Sequence, residues 1–324
     1  MSFNLVLIPF RSARFFIYPL VAILVVFLYM QKTGIAGSLN GFDTADALIP
    51  ANEIFQGGPP RDGIPAIDKP KFIKPGAVDF LKDDDRVLGM FLNGEARAYP
   101  IRILDYHEIV NDNFSGRGVM VSYCPLCGTG VAFDATVNNR LLNFGVSGLL
   151  YNSDVLLYDR QSESLWSQIM GQAVSGSAKG QKLTRLSLDH TTWADWRARH
   201  PHTRVLSTDT GYSRNYARSP YQGYEKSARL YFPVANSSTR YHPKEVVVGL
   251  EYKGQFKAYP FVELAKGGGT ALTDNIGGEK IKLKFNIEHR SANIFDSQGR
   301  EIPTFTSFWF AWVAFHPETL VYQP

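Results

Sequence analysis

Arg86-Val87-Leu88-Gly89-Met90-Phe91-Leu92-Asn93-Gly94-Glu95-Ala96-Arg97-Ala98-Tyr99-Pro100 is the stretch from which the fold follows. Two strand-forming runs flank Asn93-Gly94, a pair that accepts the left-handed backbone of a two-residue hairpin turn. The pattern recurs 160 positions later, with Val247, Gly249, Gly254, Ala258-Tyr259-Pro260 and Leu264 standing for Val87, Gly89, Gly94, Ala98-Tyr99-Pro100 and Leu104. A second pair, Trp193-x2-Trp196-x3-His200-Pro201-x-Thr203-x-Val205 and Trp309-x2-Trp312-x3-His316-Pro317-x-Thr319-x-Val321, recurs at an offset of 116. The chain therefore reads as two diverged copies of one strand-hairpin and short-helix unit, the first carrying about 44 extra residues near 147–190. The expected class is β-rich α+β, packed as one globular domain, with a first repeat over 77–240 and a second, shorter one over 241–324.

Within the first copy, Pro100 suits the first turn of a short helix, on which Leu104, His107 and Asn111 would share a face. Further strands are expected at 119–123, 130–135, 141–146, 155–158 and 280–286, and short amphipathic helices at the two Trp-x2-Trp segments. A feature present in both copies reads as scaffold, and one confined to a single copy is the better candidate for chemistry. The Trp and His faces are therefore read as core.

Residues 1–36 hold Arg11, Arg14 and Lys32 and no acid, so residues 37–324 carry 31 basic and 30 acidic side chains. That near-neutral balance argues against a nucleic-acid partner, which needs clustered positive charge. Residues 15–30 are uncharged and follow two arginines, the pattern of a signal anchor or signal peptide. The arginines would stay inside, leaving the domain anchored in the cytoplasmic membrane and exported to the periplasm or cell surface. Residues 37–76, punctuated by Gly57-Gly58-Pro59-Pro60 and Asp62-Gly63, read as a tether and irregular lead-in.

Only the first copy contains Cys124-Pro125-Leu126-Cys127-Gly128, on a tight connection between two strands. Gly128-Thr129-Gly130 is a poor helix start, so this is not the helix-borne pair of a thioredoxin. The spacing is that of a metal knuckle, in which two thiolates face one ion and the glycine lets the backbone turn beneath them. Three readings stay open: a zinc, copper or iron site completed by another donor, a reversible or structural disulfide, and two inert buried thiols. His107 is the first choice of third ligand and His190 the second, with Glu108 or Asp112 as the carboxylate that orients His107. The extra segment supplies a candidate pocket of Asn152, Asp154, Tyr158, Asp159, Arg160, Glu163 and Trp166; the plainer reading is turn-forming residues and a paired Asp159-Arg160. Neither a phosphate loop nor a nucleophile elbow is present.

Asp62-Gly63-Ile64-Pro65-Ala66-Ile67-Asp68, Ala98-Tyr99-Pro100, His107 through Asp112, Tyr123 through Thr129, Gly148 through Asp154 and Tyr158-Asp159-Arg160 occur here in one order. In these stretches the chain resembles the domain-of-unknown-function 3179 family (DUF3179) over roughly residues 55–322. The resemblance implies an exported or membrane-anchored prokaryotic protein and carries no activity with it. The expected function is thus an extracytoplasmic metal-binding or thiol-redox protein of open substrate. The alternative is a non-catalytic module that binds a small polar ligand or an envelope protein, with Cys124 and Cys127 as a structural disulfide. A weaker third reading makes Asp154 or Glu163 a general base.

Overall fold

The computed structural model describes residues 38–324. The segment expected to enter the membrane lies outside them; among the described residues no helix is long and apolar enough to cross one. The architecture is β-rich α+β, strands in several sheets covered by a few short helices.

The opening stretch forms β1 (Arg86–Leu92) and β2 (Glu95–Pro100), paired antiparallel from Val87 with Pro100 to Leu92 with Glu95. Asn93 and Gly94 take φ of 52° and 80°, the two left-handed positions that the hairpin turn requires. Next come α1 (Ile101–Leu104), then β3 (Ile109–Phe114), β4 (Arg117–Cys124) and β5 (Thr129–Asp134) as a meander. A long excursion supplies β6 (Phe144–Tyr151), β7 (Asp154–Asp159), β8 (Leu165–Ser167) and β9 (Gln172–Ala173). The chain returns through β10 (Arg185–Leu186), β11 (Asp189–Thr192), α2 (Trp193–Arg199) and β12 (Arg204–Leu206).

Residues 246–321 follow the same course without the excursion. The hairpin β13 (Val246–Tyr252) and β14 (Gln255–Pro260) leads through α3 (Phe261–Lys266) to β15 (Ala271–Ile276), β16 (Glu279–Asn286), β17 (Ser291–Phe295) and β18 (Glu301–Ile302). β19 (Phe305–Phe308), α4 (Trp309–Phe315) and β20 (Leu320–Val321) close the chain. The strand order is β11-β1-β2-β12 around the first hairpin and β19-β13-β14-β20 around the second. The meanders run β3-β4-β5-β10 and β15-β16-β17-β18.

The shared motif residues have one physical task. A Cβ at Gly89 would stand 2.2 Å from the Trp196 ring, and one at Gly249 would stand 2.0 Å from Trp312. Glycine is thus the residue that lets each hairpin lie against an indole. The indole N–H of Trp196 donates to Thr203 Oγ1 at 2.9 Å and that of Trp312 to Thr319 Oγ1 at 2.8 Å, which satisfies a polar group that would otherwise be buried unpaired. Tyr99 and Arg97 bind Asp112, and Tyr259 and Lys257 bind Asp274, so each hairpin is also tied to the first strand of its meander.

The halves interlock. Thr306 on β19 pairs with Gly130 on β5, joining the first meander to the second hairpin in one large sheet. Reciprocally, Asn293 on β17 donates to Asp189 on β11 at 2.6 Å. The excursion folds as a sheet in the order β9-β8-β7-β6, extended by Ile54–Gln56 on β6. Its register slips between Val146 and Leu149, where Gly148 has φ of 74° and a Cβ would meet the Pro59 carbonyl at 2.2 Å.

Two local expectations differ from the structure. The helix after Pro100 spans four residues, and Pro100 is its N-cap rather than a residue inside it. His107 sits in the following turn and Asn111 on β3, because the backbone of Ile67 pairs with Ile109 and Asn111 and draws that segment into a strand. The strand expected at 141–146 is divided between Arg140–Leu141 and the start of β6.

Candidate metal and thiol centre

β4 ends at Cys124 and β5 begins at Thr129, so the knuckle is the turn of a β-hairpin, as its spacing predicts. Gly128 takes φ of 60° and the ring of Phe308 lies over it, 2.9 Å from where a Cβ would be. The hairpin of β6 and β7 brings its own turn onto the knuckle, with Asn152 and Ser153 both left-handed at φ of 52° and 62°. Two consecutive non-glycine residues in that region are uncommon, and here they aim the next residue, Asp154, at the thiols. The Ser153 carbonyl lies 3.2 Å from Cys127 Sγ and 3.9 Å from Cys124 Sγ.

Ligand-type atoms of Cys124, Cys127 and Asp154 all lie within 4.8 Å of one another, and all three residues are buried. Asp154 Oδ2 accepts the Ile169 N–H at 3.1 Å, while Oδ1 is buried with no hydrogen-bond partner. Burial pushes the Asp154 carboxyl up to about 7, against the pull of the Ile169 and Val155 amides and the two thiols. The thiols are pushed up by burial too, Cys127 the further. A fourth acid is close: Glu108, left-handed at φ of 56° and buried, is raised to about 8, first by burial and then by the charges of Asp154 and Asp105. Without a cation such a cluster must hold its protons, since ionising several groups here would bury unpaired negative charge.

The ligand-type side chain that the fold brings beside the cysteines is thus Asp154, where the sequence pointed to His107. His107 has both ring nitrogens engaged, Nδ1 with the Pro65 carbonyl at 2.7 Å and Nε2 with Tyr216 Oη at 2.6 Å, so it serves as a buried strut. His190, the second choice, faces a separate cleft on β11 and packs edge-on to Tyr123. Asp112 is taken up by Arg97 and Tyr99 instead of orienting His107.

The other residues of the sequence-derived pocket pair within the chain. Asn152 bridges the Ala235 N–H and the Ala314 carbonyl; Tyr158 donates to Asp62; Asp159 accepts from Ser162 and from the Trp166 indole at 2.9 Å. Arg160 pairs with Asp68 at 3.1 Å and Glu163 with Arg61 at 2.7 Å. Lys244 drew no attention in the sequence. Its buried amine, lowered to about 8 by desolvation, lies 4.0 Å over the Tyr224 ring and donates to the carbonyls of Ser227 and Arg229. Its position two residues before a strand of the second copy carries no signal.

A family model described as "Protein of unknown function (DUF3179)" matches residues 61–319. The chain belongs to this family. No curated protein and no solved structure matches it. The DUF3179 match takes in the knuckle, Glu108 and Asp154 together with both hairpin-and-meander halves.

Proposed function

We propose that this DUF3179 protein binds one metal ion through Cys124, Cys127 and Asp154, on the outer side of the cytoplasmic membrane. The observation that carries this is the buried Asp154 carboxyl, whose Oδ1 is met by no N–H or hydroxyl donor and faces the two buried thiols. An orphaned acceptor among potential anions costs folding energy that a cation would return. Two thiolates with one or two carboxylates suit zinc or ferrous iron better than cuprous copper, which favours all-sulfur sites. The exported location draws support from the uncharged run at 15–30 behind Arg11 and Arg14.

The test is metal content of the full chain purified without chelator, in the wild type, Cys124→Ser and Asp154→Asn. Near-stoichiometric zinc or iron in the wild type, abolished by Cys124→Ser and weakened by Asp154→Asn, is the expected result. Metal that stays in Cys124→Ser, or no metal with two titratable thiols, would overturn the proposal.

A second reading is a reversible disulfide, favoured by the convergence of both sulfurs on the Ser153 carbonyl. It predicts no metal and no free thiol in protein made in an oxidising compartment, with two thiols appearing on reduction.

A further inference from the structure

Beside the knuckle, but not containing its sulfurs, lies a cleft of about 440 Å³ between the two halves. Arg86, His190 and Tyr123 come to it from the first half and Arg290 and Phe308 from the second. Arg86 stands at the start of β1 and reaches across to the turn between β16 and β17. There its guanidinium donates to the carbonyls of His289 and, at 3.1 Å, Arg290, and on its own side to His190 at 2.8 Å. These partners are neutral. Among the described residues neither Arg86 nor Arg290 pairs with a carboxylate, although arginines elsewhere in the fold commonly do. The buried Nδ1 of His190 also lacks a partner.

We infer that this cleft is a binding site for a small oxyanion-bearing molecule, a carboxylate or a phosphate, held between Arg86 and Arg290. Two arginines from different halves line this cleft without a counter-ion; an oxyanion would accept the N–H groups of Arg290 and offset the charge of Arg86, whose Nη groups are engaged by carbonyls. Burial and the nearby Arg290 charge both pull Arg86 down, to about 9, as expected of a cation that lacks an anion. The lining also holds Asp105, raised to about 6 by burial, Glu225, and Asp85, which is paired with Arg102. The volume suits a small metabolite-sized molecule rather than a macromolecule.

The cleft shares Pro125 and Gly128 of the knuckle as part of its wall but takes none of the metal donors, so anion titration and metal content are distinct readouts. The experiment is calorimetric titration of the full chain with inorganic phosphate and, in parallel, malonate. The wild type, Arg290→Gln and the exposed-lysine control Lys280→Gln are compared. Saturable binding of at least one anion is expected, weakened about tenfold or more by Arg290→Gln and unchanged in Lys280→Gln. The anion that binds tighter distinguishes the phosphate from the carboxylate class. Absence of saturable binding by both anions would overturn the inference, as would equal affinity in Arg290→Gln or an equal loss in Lys280→Gln. A wild-type measurement guards against a misfolded variant: phosphate or malonate should protect Arg290 from phenylglyoxal modification, read by peptide mass spectrometry. An unprotected Arg290 would reject the site.

Discussion

The knuckle at 124–128 and its counterpart at 286–290 are the same backbone feature put to different uses. Both join the second and third strands of a meander, and both end on a left-handed residue, Gly128 at φ of 60° and Arg290 at 43°. In the first, Cys124 and Cys127 lie buried under the β6–β7 hairpin, whose turn delivers Asp154. In the second no excursion covers the turn. Asn286 there accepts the His289 N–H at 3.1 Å, and His289 bonds across to Thr192 at 2.8 Å. The difference shows that the turn alone makes no site; the covering sheet, by excluding water and adding a carboxylate, makes its donors chemically distinctive.

If the two halves rest on equivalent Trp anchors, Trp196→Ala and Trp312→Ala should each cost about 3–5 kcal/mol in chemical denaturation, since both indoles are fully buried. A cost confined to one half would break the equivalence.

The turns should then separate. With metal present at about a hundredfold over its Kd, Cys124→Ser should remove about 2.7 kcal/mol of ligand-linked stability. Asn286→Ala should lose only the about 1 kcal/mol of a local hydrogen bond and be indifferent to metal. Thermal melts with and without chelator measure both, and metal sensitivity at Asn286 would contradict the contrast.

A finer asymmetry concerns the threonines that receive the indoles. Thr203 is fully buried and Thr319 is partly open to water. Thr203→Val should therefore cost about 1–3 kcal/mol and Thr319→Val less than about 1, because water can take over at the second site. Equal costs would show that both indoles are sealed.

The smallest effect is an acid limb in stability. Burial, with a contribution from Arg185, lowers His316 to about 4, and burial lowers His200 as well. Between about 4 and 6.5 His316 is neutral when folded but protonates when unfolded, so the unfolded chain binds more protons there, and the lowered His200 acts in the same direction. The stability His316 lends is complete above about pH 6.5 and falls as pH drops towards 4, and that of His200 also falls with falling pH. His316→Gln should flatten that slope in denaturation curves at pH 7 and 5, and His200→Gln should flatten it less.

Much of the fold was legible because its cues are local. Asn93-Gly94 can turn only one way, and the spacing from Val87 to Leu104 repeats residue for residue. The metal-knuckle spacing likewise located the thiols. The helix beyond Leu104 was overestimated because apolar spacing at 104, 107 and 111 imitates a helical face. The pairing of Ile67 with β3 that overrides it comes from a segment some forty residues away. Asp154 was visible as a member of a polar insertion, but nothing in its neighbours distinguished it from Asp159, whose oxygens are all occupied.

What the sequence by itself determined is the β-rich class, the paired hairpins and the cysteine turn, because backbone preferences and short-range periodicity act within a few residues. Only the tertiary structure decided which carboxylate meets the thiols, that His107 is already engaged, and that Arg86 and Arg290 share a cleft without a counter-ion. Those outcomes depend on burial and on contacts between segments distant in the chain, where desolvation and the presence or absence of one hydrogen-bond partner set the chemistry.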